Sequence, residues 1–105
     1  MQRVPGRRDA EGRHLGSLGL AYAALGDARR AIECYEQHAG IAREIGDRRG
    51  ESNASWNLGL AYEKQERYAE ACALMQITVD FERAIGHPDA EPDATRLAEV
   101  CAKAK

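Results

Sequence analysis

The string LGLAY at residues 18–22 recurs unchanged at residues 58–62, and this repetition decides the fold. Residues 11–50 align with residues 51–90 without a gap, and Ala31 falls on an identical Ala in the second unit. Self-similarity at a fixed offset is the sequence signature of a repeat architecture. The chain therefore contains two copies of a unit that is 40 residues long.

Each unit is predicted to form two helices joined by a tight turn. In the first unit, apolar residues recur at helical spacing over residues 15–25, and the pattern resumes over residues 28–42. Gly26 can adopt the left-handed conformation that ends a helix, and Asp27 can accept hydrogen bonds from the first free amides of the next helix. In the second unit Glu66 occupies the position of Gly26, at an expected cost of about 1 kcal/mol.

Small residues are predicted where the paired helices approach most closely. A Gly inside a helix costs stability, so it needs a packing reason of this kind. The small residues are Gly19, Ala31, Gly59 and Ala71, and their bulky neighbours are Tyr22, Tyr35, Tyr62 and Met75.

The C-terminal segment is predicted to form a short closing helix. Residues 87–92 carry two prolines that end one helix and begin another. We expect Ala94, Leu97, Cys101 and Ala104 to share one face of the closing helix. The preceding helix carries two apolar stripes, which predicts one contact with residues 51–65 and one with the closing helix. The stripes are Ala71, Met75 and Val79, and Leu74, Ile77, Phe81 and Ile85.

The motifs in both units resemble the tetratricopeptide repeat. The resemblance rests on Leu-Gly-x-x-Tyr, then an Ala eight or nine residues on, then an aromatic residue four positions later, and it covers residues 11–90. The 40-residue period and the strings at 31–35 and 41–47 are similar to a longer Leu-Gly-Asn-type subgroup found in cell-polarity adaptors and bacterial arrays, although Leu replaces the Asn in both units. The resemblance implies an all-α, right-handed solenoid of helical hairpins that binds other proteins.

The sequence predicts five helices in one domain. We expect a frayed N-terminal tail over residues 1–8, a first repeat over 9–46, a second over 47–86, and a capping segment over 87–105. The helices are expected near residues 9–25, 27–45, 47–65, 67–86 and 90–104.

Composition restricts the classes of partner. The net charge is −2, and the 15 Lys and Arg are scattered among 17 Asp and Glu, so no nucleic-acid surface is expected. The N-terminus has no apolar core of a signal peptide, and no apolar run reaches membrane-spanning length, so we expect a cytoplasmic protein without a membrane partner. Cys34, Cys72 and Cys101 form no Cys-x-x-Cys pair and are expected to be reduced core residues.

The resemblance also implies a binding surface, because the first helix of each hairpin lines the concave face of such a stack. The residues expected to bind a peptide or partner helix are Arg13, Ser17, Leu20, Asn53, Trp56, Asn57, Leu60 and Lys64. Gly16 and Glu63 lie on the same expected face. Trp56 either anchors the partner or packs under the closing helix, and both interpretations stay open.

Catalytic and metal-binding functions are not expected. Cys34 and His38 share a helix face, but no residue supplies an oxyanion site or orients the pair. His14 and His38 lack a third ligand, so no metal or cofactor is predicted. Solenoids normally need about three repeats. We therefore expect the exposed helix pair at residues 9–45 either to continue a longer array or to be covered by another copy of the chain.

Overall fold

The computed structural model describes residues 5–105, with side chains from residue 7 onward, and all regular structure in this range is α-helical. Consecutive helices pack against each other as antiparallel neighbours. The helices are α1 (Pro5–Ala24), α2 (Ala28–Glu44), α3 (Arg48–Lys64), α4 (Tyr68–Ala84) and α5 (Ala90–Lys103). The all-α hairpin stack predicted from the repeats is confirmed.

The N-terminal helix begins earlier than the sequence pattern indicated. α1 starts at Pro5, so residues 5–8 of the expected tail are helical, and residues 1–4 lie outside the described residues. Proline suits the first position of a helix because its fixed φ is helical and its missing N–H has no partner there.

Each turn that follows one of the first four helices contains one residue in the left-handed conformation. Gly26, Gly46 and Gly86 have φ of 80°, 74° and 67°, and Glu66 has φ of 60°. The predicted equivalence of Gly26 and Glu66 is therefore confirmed in the backbone.

Aspartates cap the helices that follow two of these turns. The Asp27 carboxylate accepts a hydrogen bond from the Arg30 N–H at 3.1 Å, and Asp47 accepts one from the Gly50 N–H at 2.9 Å. Arg67 holds the equivalent position before α4 and makes no side-chain capping bond. The internal turn of the second repeat thus has neither the left-handed Gly nor the capping Asp of the first repeat.

Two helical glycines allow the hairpins to close. A methyl group on Gly19 would lie 2.6 Å from Cε1 of Tyr35, and one on Gly59 would lie 2.6 Å from Cγ of Met75. Tyr35 and Met75 are both buried, so neither has space to withdraw. The predicted close approaches are confirmed.

One predicted apolar stripe of α4 is partly wrong. Ile77 and Ile85 are exposed, whereas Thr78 and Glu82 occupy buried positions on the face that includes Met75. The helical period places residues three and four apart on one face, so Ile77 falls on the opposite side. The Thr78 hydroxyl donates a hydrogen bond of 2.7 Å to the backbone carbonyl of Ser52, which satisfies it in the core.

α5 closes the stack through a slightly different face from the one predicted. Leu97 and Val100 are buried against α4, while Ala104 is exposed. α5 ends at Lys103, so Ala104 lies at the helix C-cap and not on the packed face.

The expectation of three reduced cysteines is wrong for two of them. Cys72 and Cys101 form a disulfide, with their Cα atoms 5.0 Å apart, and only Cys34 is a free thiol. The two residues are 29 positions apart in sequence, and they meet because α5 packs antiparallel to α4. Disulfides require Cα atoms within about 7 Å, which only the tertiary packing reveals here.

Candidate functional site

An open groove lies between the two hairpins. Its cavity volume is about 700 Å³. The wall that belongs to the first hairpin comes from α1, α2 and the turn between them, and the opposite wall comes from α3, with one residue each from α4 and α5. The lining residues are Leu20, Ala23, Gly26, Ala28, Ala31, Tyr35, Asn57, Leu60, Ala61, Glu63, Lys64, Tyr68 and Arg96.

Four of the eight predicted partner-binding residues line this groove. They are Leu20 on α1 and Asn57, Leu60 and Lys64 on α3. Leu20 is 54% exposed, although Leu is among the residue types most often buried. The groove therefore presents an apolar side chain with no covering residue.

The other four predicted residues lie outside the lining. Ser17 and Asn53 are exposed, and Arg13 is exposed with its guanidinium 3.4 Å from the Asp9 carboxylate. Trp56 is half-buried and packs against the hydrophobic core, so only part of its indole is accessible. The role of these four residues stays a prediction.

Gly16 was expected on the groove face but faces α2 instead. A methyl group on Gly16 would lie 2.9 Å from Nδ1 of His38, which is itself buried. Gly16 and Trp56 occupy equivalent positions in the two repeats. The first repeat thus uses this position to admit a His side chain from the neighbouring helix.

Sequence reasoning missed the part of the groove contributed by Tyr35, Tyr68 and Arg96. Tyr68 lies one repeat after Ala28, which also lines the groove, so the alignment of the two repeats could have predicted Tyr68 as a lining residue. Arg96 had no such signal, because the closing helix has no equivalent in the first repeat.

Charge in the groove is partly neutralised internally. One guanidinium nitrogen of Arg96 donates to both carboxylate oxygens of Glu63, at 2.6 and 2.8 Å. Lys64 lines the same end of the groove and forms no ion pair with any residue that the structure describes. The groove therefore offers apolar surface, one amide and one unpaired cation.

The buried Cys34 and His38 are not arranged for nucleophilic catalysis. Burial, with a smaller contribution from the Glu33 charge, raises the pKa of the Cys34 thiol. Burial lowers the pKa of His38. Both groups are thus kept neutral, the opposite of a reactive thiolate beside an imidazolium.

The described part of the chain has neither a metal-binding cluster nor a membrane-spanning helix. Residues 5–105 contain no group of three or more His, Cys, Asp or Glu side chains placed to hold a metal ion. His14 is exposed, whereas His38 is buried beside Gly12 and Gly16. Within the same range, no helix has both the length and the apolar character needed to cross a membrane.

The fold defines a helical-hairpin repeat protein with an open groove between its two hairpins. The family model for the tetratricopeptide repeat matches residues 11–85, and the chain belongs to that family. It is also similar to human G-protein-signaling modulator 1, with 42% identity over 59 residues, which is 56% of this chain and 9% of that protein. The match thus spans less than a tenth of its relative. Tetratricopeptide repeats mediate protein–protein interaction.

Proposed function

We propose that this chain is a non-enzymatic scaffold that binds a peptide or a partner helix in the groove between its two hairpins. The observation that carries the proposal is the exposed Leu20, which lines a cavity of about 700 Å³ together with Leu60 and Ala61. Peptide ligands commonly anchor an apolar side chain in such a site and orient it through a few polar groups.

The polar groups restrict the chemistry of the ligand. The Asn57 side-chain amide offers both donors and an acceptor to a peptide backbone. Glu63 already satisfies Arg96, so Lys64 alone supplies net positive charge at that end. We infer a ligand with an apolar anchor and at most one acidic residue near it, and not a strongly acidic segment.

The test is a selection of phage-displayed peptides followed by affinity measurement with the tightest one. Leu20→Lys should weaken binding by at least about tenfold, because it places a charge in the apolar part of the groove. Leu25→Lys is the matched control, since Leu25 is 80% exposed on the adjoining turn and does not line the groove. Helical content should be the same in both variants.

The comparison of Leu20→Lys with Leu25→Lys tests whether the peptide binds in the groove. Equal affinity for Leu20→Lys and Leu25→Lys would place the ligand elsewhere and refute the proposal. Asn57→Ala should also weaken binding by about fivefold if the amide binds the peptide backbone, since a hydrogen bond contributes about 1 kcal/mol. The Trp56→Ala variant then asks whether the half-buried indole adds to the same site.

We also propose which subgroup of the family the chain belongs to and where in the cell the protein is located. The 40-residue period and the strings at 31–35 and 41–47 support membership of the longer Leu-Gly-Asn-like subgroup. We place the protein in the cytoplasm, and labelling of a tagged chain in its host would test that placement.

Self-assembly is the second candidate function. The exposed residues Ala10, His14, Ser17 and Ala21 of α1 correspond, one repeat later, to residues of α3 that are buried or half-buried. A second copy of the chain or a further repeat would fit this surface. Measurement of the molecular mass in solution distinguishes these two possibilities.

A further inference from the structure

The Cys72–Cys101 disulfide joins α4 and α5, each of which supplies one residue to the groove lining. Cys72 follows Tyr68 by one helical turn, and Cys101 follows Arg96 by five residues. Tyr68 and Arg96 are the two groove-lining residues that these helices supply. The bridge therefore joins the helices that hold this end of the groove.

Besides the bridge, α5 is attached mainly to α4, where Arg83 also donates a hydrogen bond of 3.3 Å to Glu91. α5 buries Leu97 and Val100 there, and Arg96 pairs with Glu63 of α3. The Lys103 ammonium also lies 5.6 Å from the centre of the Tyr68 ring. α5 has only 14 residues, and isolated helices of that length are marginal in water. Detachment of α5 from α4 would therefore unfold it.

The bridge is less deeply buried than the free thiol of Cys34. Cys72 and Cys101 are both half-buried, in contrast to the buried free thiol of Cys34. Accessible disulfides are the labile and regulatory ones, whereas shielded disulfides are structural. Disulfides in reducing compartments are usually transient and redox-sensing.

We propose that the Cys72–Cys101 bridge is a redox-controlled latch that keeps α5 docked and the groove competent to bind its ligand. The proposal rests on the groove function given above and names its regulation. When the bridge is reduced, α5 detaches more often, Arg96 leaves the groove, and the Glu63 carboxylate is left unpaired at its edge. Ligand binding then weakens.

The redox step needs a dithiol reductant. One thiolate of the reductant attacks a sulfur of the bridge and forms a mixed disulfide, and the other cysteine leaves as a thiolate that takes up a proton. The second thiol of the reductant then displaces the first cysteine. Two electrons and two protons are transferred in total, which yields two cysteine thiols and the oxidised disulfide form of the reductant.

The first experiment measures amide hydrogen exchange in the oxidised chain and after reduction by dithiothreitol. Reduction should speed exchange of α5 amides by at least about tenfold, within the effect expected for opening a covalent loop of this length, and leave α1 to α3 unchanged. A Cys72→Ser/Cys101→Ser variant should resemble the reduced chain under both conditions. Cys34→Ser is the matched control and should keep the full response to reductant.

The second experiment measures the affinity of the selected peptide for the oxidised and reduced chains. A Kd raised by about tenfold on reduction is expected. Identical α5 exchange in both states, or alkylation of Cys72 and Cys101 without any reductant, would overturn the latch. Faster exchange of α5 amides with an unchanged Kd for the peptide would show that the bridge does not control ligand binding in the groove. Failure to select any groove-binding peptide would refute the proposed function alone, because the exchange experiment needs no ligand.

Discussion

At the scale of single residues, Gly19 of α1 lies so close to the Tyr35 ring of α2 that an added methyl group would be 2.6 Å from the ring. Gly19→Ala should destabilise the protein by on the order of 1–2 kcal/mol, because overpacking against a buried ring exceeds the gain in helix propensity. Gly40→Ala is the matched control, since a methyl group there meets nothing within 4 Å. In thermal unfolding, Gly40→Ala should have a higher melting temperature than the parent chain, and Gly19→Ala should have a lower one. The reverse order would mean that the two helices lie farther apart than described.

A second residue-scale prediction concerns the left-handed Glu66. Glu66→Gly should raise the free energy of unfolding by about 1 kcal/mol, since Gly adopts φ of 60° without the steric cost of a side chain. In a chain of this size that gain corresponds to a melting temperature roughly 4 °C higher.

The neighbouring Gln65 provides the control for this turn. Its φ is −90°, so Gln65→Gly gains no conformational relief and should lower the melting temperature. If both variants melt at the temperature of the parent chain, the turn does not constrain the hairpin.

At the scale of elements, turns and helix caps were predictable from the sequence, whereas contacts between helices were not. Gly26 and Asp27 act on neighbouring backbone groups, so their spacing alone indicated the turn and the cap. The Arg96–Glu63 pair and the Cys72–Cys101 bridge join residues about 30 positions apart. Their contact depends on how α5 rotates on α4, and the single-sequence pattern left that rotation undetermined. The exposed Leu20 was found because the repeat register fixed its face.

The junction of α4 and α5 contains an unusual carboxyl group. Glu82 is buried beside Asp93, and its Oε1 accepts no hydrogen bond among the described residues. Burial, together with the neighbouring carboxyl groups of Asp93 and Asp89, raises the pKa of Glu82 to about 7. His87 Nδ1 lies 3.9 Å from the other carboxylate oxygen. Charging Glu82 next to Asp93 in a buried position is unfavourable, so this junction is sensitive to pH.

The element-scale prediction follows from the direction of this shift. The pKa of Glu82 is higher in the folded chain than its ordinary value near 4.3, so the folded state holds the proton more tightly. Its stabilising effect is complete below about pH 4.3 and is lost as the pH rises to about 7. Glu82→Gln keeps a donor toward Asp93 without a charge, so it should raise the melting temperature at pH 8 by several degrees.

Thermal unfolding at pH 5 and pH 8 measures this effect. The difference in melting temperature between Glu82→Gln and the parent chain should be larger at pH 8 than at pH 5. Asp80→Asn, on the exposed face of the same helix, should show no such dependence. A difference that does not change with pH would mean that Glu82 titrates normally.

At the scale of the whole molecule, the two ends of the stack are unequal. α5 covers α4 at one end, whereas the outer face of α1 has no helix packed on it within the described residues. In α3 the equivalent face is packed, since a methyl group on Gly50 would lie 3.3 Å from Cβ of Ala42 in α2, and Ala54 and Ala61 are buried. The α1 face carries Ala10, His14, Ser17 and Ala21 in the same register. Small side chains at this spacing permit close approach of another helix.

We therefore expect the chain to self-associate through the outer face of α1. Light scattering over a wide concentration range should show a mass that rises above that of the monomer, and Ala21→Glu should return it to the monomer by placing a charge in the contact. Ala21 is exposed in the single chain, so helical content and melting of the monomer should be unaffected. Ala73→Glu, exposed on α4, is the matched control and should associate as the parent does. A constant monomer mass would leave this face free for a further repeat or a different protein, and groove binding would then be the sole function proposed here.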